Sequence, residues 1–233
     1  MSMKPLEFDR RYGELDQVIS AYAGQVAETE RRQRDQRHEP PHPDRFLDAY
    51  LRHTWHTRPW ALSIAEQQLR EYARNPPGRV RHRLGEFYAI PDVGLPQADI
   101  QTWLFQLADR IKQSIAGGEV PPPSAPQTHW EWHARFPELS QFLGGWFSQD
   151  MPEEFADHDA AVRDYDAATD RNLVARLVGE IHELLALDLD ESDYAVAVAE
   201  LGMEVDPPVS YALSAWLALV AELLSGPRTD YGE

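Results

Sequence analysis

The sequence predicts an all-α protein made of two tandem helical bundles of about five helices each, related by internal duplication. Three observations carry this expectation. Apolar residues recur at three- and four-residue spacing along most of the 233 residues, with no sustained strand-type alternation. A Pro-rich stretch, Gly117–Thr128, interrupts that pattern near the middle of the chain. Three blocks recur in the same order on either side of it, as expected of a repeat.

The blocks are short but ordered. Arg11–Val26 echoes Arg135–Asp150: Arg, Glu, Leu and two Gln recur in register, and aromatic or aliphatic residues answer one another between them. Arg83–Asp92 resembles Glu200–Pro207, and Thr102–Ile111 resembles Ala215–Leu224. The offset drifts from 124 to 117 to 113 residues, which differences in loop length would produce. The alternative is two unrelated amphipathic helical domains.

The elements follow in order. Residues 1–9 read as a tail. Leu15, Val18, Ile19, Tyr22 and Val26 place a first helix from Tyr12 to about Arg32. The charged run Glu28–Pro43 ends in Pro-Pro-His-Pro, which stops a helix. A second helix starts at Pro43-Asp44 and carries Phe46, Leu47, Tyr50 and Leu51. A third, from Trp60 to Tyr72, turns Ala61, Ile64, Ala65, Leu69 and Tyr72 inward, and Asn75-Pro76-Pro77-Gly78 breaks it. A short helix with Val80 and Leu84 follows. The last helix of this half runs from Pro96 to about Ile115, and Gly117-Gly118 ends it.

In the second half, Arg135–Asp150 reads as one helix burying Leu139, Phe142, Leu143, Trp146 and Phe147. The next covers Asp157–Tyr165. Thr169 or Asp170 can cap a helix with the stripe Leu173, Val174, Leu177, Val178, Ile181, Leu184 and Leu185. Asp190 or Ser192 can cap another, ended by Gly202, and Ser210 can cap the last, ended by Gly226-Pro227. Phe87–Ile90 and Met203–Val205 are the only places where a short strand would fit. The expected domains are residues 1–116, a linker over 117–128, and residues 129–233.

Composition narrows the function. No cysteine is present, which excludes disulfides, thiol catalysis and thiolate-bound zinc. No apolar run is long enough to span a bilayer, and no signal-peptide core opens the chain, so a soluble cytoplasmic protein is expected. The net charge of −17 is segregated: residues 1–130 hold 17 basic and 17 acidic residues, and residues 131–233 hold 5 and 22. Such an acidic half repels nucleic acid and anionic membrane and attracts basic partners. The plainer reading is a solvated surface that serves solubility.

Three groups of residues invite a chemical reading. His129 and His133 share a helical face, a spacing that can bind zinc, but Glu131 stands midway rather than beside the first His. Aromatic packing of Trp130 and Trp132 competes with that reading. His53 and His56, with His82 as a third, lack an accompanying carboxylate. The carboxylates Glu153-Glu154, Asp157 with Asp159, and Asp188, Asp190, Glu191 and Asp193 sit at loop and helix-start positions, where they cap helices rather than catalyse. No phosphate loop, nucleophile elbow or dinucleotide fingerprint is present. The run Arg31–Arg37 is interrupted by Asp35 and lacks aromatic residues, so it reads as a solvated face. Gly144-Gly145 inside a helix costs on the order of 1 kcal/mol per glycine, which implies close approach of another backbone.

Phe136-Pro137-Glu138-Leu139, then Leu143-Gly144-Gly145-Trp146-Phe147, then Gln149-Asp150, resemble the motif of the helical CdiI-type immunity proteins of bacterial contact-dependent growth inhibition systems. Glu200-Leu201-Gly202, Asp206-Pro207 and Trp216-Leu217 are similar to the C-terminal part of that family. The resemblance covers about Arg135–Leu224; residues 11–113 match only as a degenerate copy without Gly-Gly. It implies a non-enzymatic antidote, without cofactor, that binds a cognate toxin domain. Many such toxins are nucleases or otherwise act on nucleic acid, and are basic. Acidic side chains would cover the toxin's active site. The residues expected to make contact are Asp150, Glu153, Glu154, Asp157, Asp159 and Asp164, with Asp188, Asp190, Glu191 and Asp193 as a second cluster. Trp146 is the expected aromatic anchor, with Trp130 or Trp132 if exposed. The rivals are a helical adaptor for an endogenous basic partner and a metal-dependent hydrolase using His129 and His133.

Overall fold

A computed structural model describes residues 5–22, 45–74, 96–187 and 189–226. Among them every regular element is helical. The chain divides into two compact units, Met1–Glu131 and Trp132–Glu233.

The first unit contains α1 (Pro5–Ser20), α2 (Arg45–Thr57), α3 (Ala61–Arg74) and α4 (Ile100–Gly117). Helix α3 packs on α1, α2 and α4. Their apolar stripes meet in one core that includes Leu15, Ile19, Phe46, Tyr50, Leu69 and Leu104. Helix α1 starts at Pro5, where a tail was expected: a proline costs nothing in the first turn, whose N–H groups lack helical partners anyway. It is broken at Tyr12, where φ is −133° and ψ 21°. Ile64 is half-exposed rather than inward, and its neighbour Leu62 takes the core position. Gly118 ends α4 with φ 64°, the left-handed conformation that favours glycine. The expected helix around Val80 and Leu84 lies outside the described residues. So does the repeat block Arg83–Asp92.

The Pro-rich segment is bound to α2 at three points. His56 Nε2–H donates to the Pro121 carbonyl at 2.8 Å, and Arg45 donates to the Gln127 carbonyl at 3.0 Å. Arg52 grips the buried Glu131 carboxylate with two bonds, of 2.9 and 2.8 Å. The same carboxylate accepts the Gln127 N–H.

Helix α5 (His129–Arg135) contains the boundary between the units. The second unit continues with α6 (Pro137–Trp146), α7 (Met151–Glu154), α8 (His158–Ala168), α9 (Arg171–Leu185), α10 (Glu191–Glu200) and α11 (Leu213–Ser225). Helix α9 packs on α6 and α11, α8 on α6 and α11, and α10 on α11. Around this core Phe142, Phe147 and Trp216 make edge-on ring contacts of about 5 Å.

The expected single helix over Arg135–Asp150 is instead the last residue of α5, helix α6 and a turn that leads into α7. Phe136 leaves the helical region (φ −127°, ψ 58°) because Pro137 disfavours α geometry in the residue before it. Phe147 closes α6, and Asp150 precedes the short α7. Asp157, Asp170 and Asp190 cap α8, α9 and α10, each side chain accepting a backbone N–H of the first turn. Helix α10 ends in a Schellman motif: Met203 N–H reaches the Val198 carbonyl, Gly202 N–H that of Ala199, and Gly202 has φ 99°. Met203–Val205, where a short strand would fit, is not a strand. The close approach expected at Gly144-Gly145 is found at Gly144. A Cβ on Gly202 would lie 3.1 Å from the Gly144 Cα, while one on Gly145 would meet nothing within 4 Å.

Candidate partner-binding surface

The first acidic group is built around α7 and the start of α8. The Asp150 carbonyl accepts the N–H groups of Glu153 and Glu154, so that turn projects three carboxylates into solvent. Asp157 Oδ1 holds the Ala160 N–H at 2.7 Å, and Asp159 follows it, exposed, in the first turn. Asp164 accepts the Trp146 indole N–H at 3.0 Å, and the half-buried indole stands edge-on to Tyr165. Trp146 is thus already held within the unit. Trp132 is buried and stacks on Phe136, so it cannot serve as an exposed anchor. Trp130 packs within the first unit against Tyr50 and His53.

The second acidic group surrounds the start of α10. Asp190 and Asp193 form a reciprocal capping box. Hydrogen bonds from the Ser192 hydroxyl and the Asp193 N–H hold the Asp190 carboxyl below its ordinary range. Glu191 accepts the Leu213 N–H at 2.9 Å and the Ser214 hydroxyl. It therefore caps α11 from another helix, the role expected of Ser210. Asp188 lies outside the described residues.

One connecting segment joins the two groups, and sequence reasoning missed it. At one end, Glu204 accepts the Gln149 N–H and donates its own N–H to the Phe147 carbonyl, both at 2.9 Å. His158 Nε2–H donates to the Asp206 carbonyl at 2.8 Å. At the other end, Leu213 and Ser214 sit on Glu191. Between them Val209 is 106% and Tyr211 45% exposed. The only signal in the sequence was two prolines followed by apolar residues in a polar setting.

The units differ in how their carboxylates are satisfied. In the first, Glu14 pairs with Arg58, Glu66 and Asp109 with Arg70, Glu71 with Arg11, Asp48 with Arg110, and Glu131 with Arg52. In the second, Arg135 takes Glu183, Arg171 takes Asp166 and Arg176 takes Glu138. Among the described residues, no Lys or Arg pairs with Asp150, Glu153, Glu154 or Asp159. Residues 135–224 match the CdiI immunity protein family. The matched stretch is well under half of the chain and falls within the acidic unit. No curated protein and no solved structure matches the chain.

His133, one of the two candidate zinc ligands, has structural partners. His133 Nε2–H donates to the Glu200 carbonyl at 2.8 Å, which leaves Nδ1 to accept from the Ser140 hydroxyl at 2.7 Å. Among the described residues no group of three or more His, Asp or Glu is arranged to hold a metal ion. No helix among them is long and apolar enough to cross a membrane.

Proposed function

We propose that this protein is a cytoplasmic immunity protein that binds a toxin domain of a contact-dependent or related polymorphic system and covers its active site. The observation that carries the reading is that the family match falls on the unit in which Asp150, Glu153, Glu154 and Asp159 are exposed with no Lys or Arg paired to them among the described residues. A carboxylate already paired with arginine has little to offer another cation. The exposed Asp150, Glu153, Glu154 and Asp159, with Asp157, Asp164, Asp190, Glu191 and Asp193, make a surface complementary to a basic protein. A toxin that acts on nucleic acid presents such a surface, because it must hold phosphates. Long-range attraction then speeds encounter, and the antidote acts by occlusion without chemistry of its own.

The test is co-expression with the toxin-like domain encoded beside this gene, followed by calorimetry at two salt concentrations. Growth rescue, with an affinity that weakens as salt rises, is the expected result. Absence of both rescue and binding would overturn the reading and favour a helical adaptor for another basic partner.

A further inference from the structure

We infer that the segment Val205–Ala212 is the apolar anchor of the partner interface, resting on the immunity reading above. Val209 is fully exposed at its tip and Tyr211 nearly half-exposed, so covering them would remove apolar surface from water. Pro207 and Pro208 restrict the backbone, and a turn from Tyr211 N–H to the Pro208 carbonyl closes it. Both ends are pinned, by Glu204 and His158 on one side and by Glu191 on the other. Little conformational entropy is therefore left to lose on binding. The tip stands between two groups of exposed carboxylates, the usual arrangement of an apolar anchor inside a charged rim. That rim selects the occupant: a basic protein face with an apolar cleft among its Lys and Arg side chains.

The experiment is calorimetry of the full chain against the neighbouring toxin-like domain, with the double variant Val209→Ser/Tyr211→Ser. Leu223→Ala, exposed near the other end of α11, is the control. The expected result is at least about tenfold weaker binding for the tip variant with an unchanged salt slope, since no charge is removed. Unchanged affinity of the tip variant, while the wild-type chain binds, would overturn this inference and leave the immunity reading intact. No binding by the wild-type chain would overturn both.

A second inference rests on separate observations. The geometry points to residues 11–113 being a diverged second copy of the fold in residues 135–224. Helices α1, α2, α3 and α4 correspond to α6, α8, α9 and α11, and the same interactions recur at a constant offset within each pair. On the first pair, 124 residues apart, the backbone breaks at Tyr12 and at Phe136. Arg11 lies over the Tyr12 ring and Arg135 over the Phe136 ring. On the third pair, 112 residues apart, Glu71 takes Arg11 and Glu183 takes Arg135. Gln68 accepts the N–H groups of Glu14 and Leu15, and Glu180 those of Glu138 and Leu139. On the second pair, 115 residues apart, buried Tyr50 has Glu14 and Thr54 as neighbours, and Tyr165 has Glu138 and Thr169. On the fourth, 113 apart, Leu104, Leu107, Ala108 and Ile111 are buried as are Leu217, Val220, Ala221 and Leu224.

Unrelated helices packed by chance would not repeat a break, a stacked arginine, its glutamate and a side-chain cap in matching registers. The copies have since diverged in charge, the first pairing its carboxylates with arginine. An experimental structure of the full chain tests this. Superposition of the four helix pairs should bring Leu15 onto Leu139, Gln68 onto Glu180 and Tyr50 onto Tyr165 together. A register shift in any of the four pairs would overturn it. As a solution test, Gln68→Ala and Glu180→Ala should each lower amide protection about tenfold at the paired first-helix amides of its own unit. Protection unchanged in either unit would also overturn it.

Discussion

At the residue scale, Glu180 has a consequence in pH. Burial, with Glu138 and Glu183 nearby, pushes its carboxyl up to about 7, against the lowering pull of the Leu139 and Glu138 N–H groups. Arg176 on Glu138 and Arg135 on Glu183 face the same region. A carboxyl raised on folding adds stability that is fully present below its unfolded value of 4.5, and that stability is lost as pH rises through about 7. Unit 2 should therefore lose stability across that window, read as its unfolding midpoint in urea. Glu180→Gln, the residue type that Gln68 supplies in the first unit, should flatten the dependence and raise the midpoint above neutral pH. A variant with the wild-type pH profile would show that another group titrates. Gly202 makes a second case. Its φ of 99° and a Cβ that would stand 3.1 Å from Gly144 predict a loss of about 1–3 kcal/mol for Gly202→Ala. Gly144→Ala would meet its neighbours at 4.0 Å, an ordinary contact, so the cost is small and helix propensity offsets it. Chemical denaturation of the two variants checks the asymmetry.

At the scale of elements, one ion pair is the buried attachment at the end of the Pro-rich segment. The side chains of Arg52 and Glu131 are 16% and 5% exposed, and their two-point contact joins α2 to the first turn of α5. Arg52→Met would strand a buried carboxylate, at a cost of about 3 kcal/mol. Hydrogen exchange should show residues 121–131 opening in that variant while α9 and α11 keep their protection. Equal protection in the wild type and the variant would mean that the other bonds to α2 suffice. The caps show how far elements were legible. Gly118 and Gly202 were placed from sequence, and Asp170 and Asp190 were each one of two candidates (with Thr169 and Ser192), because each acts on its own helix end. Ser210 was not, because Glu191 reaches the α11 start from another helix, a contact no local window contains.

At the scale of the whole molecule, charge is the variable on which the proposed function turns. Replacing Asp150, Glu153 and Glu154 with lysine should slow association with a basic toxin domain by about tenfold or more at low salt, and flatten its salt dependence. These side chains are exposed and do not support the core, so thermal unfolding should change little. Unchanged association kinetics would move the interface off this surface. The acidic surface was legible as a composition: 22 acidic against 5 basic residues after position 130. Which carboxylates stay unpaired was not, because pairing depends on arginines that are distant in sequence.

The sequence by itself determined the helical class, most helix ends, the apolar faces and the segregation of charge. These follow from side-chain spacing within a few residues and from simple counts. It also carried the family resemblance over Arg135–Leu224. The break at Phe136 was written in the sequence by Pro137, but tertiary structure supplied the partners of the groups exposed there, Glu180 and Glu183 on α9. Tertiary structure alone decided that two acidic groups far apart in sequence meet the ends of one loop, and that Val209 and Tyr211 stand exposed between them. Backbone hydrogen bonding and periodicity act locally, whereas surface neighbours are set by which helices pack together.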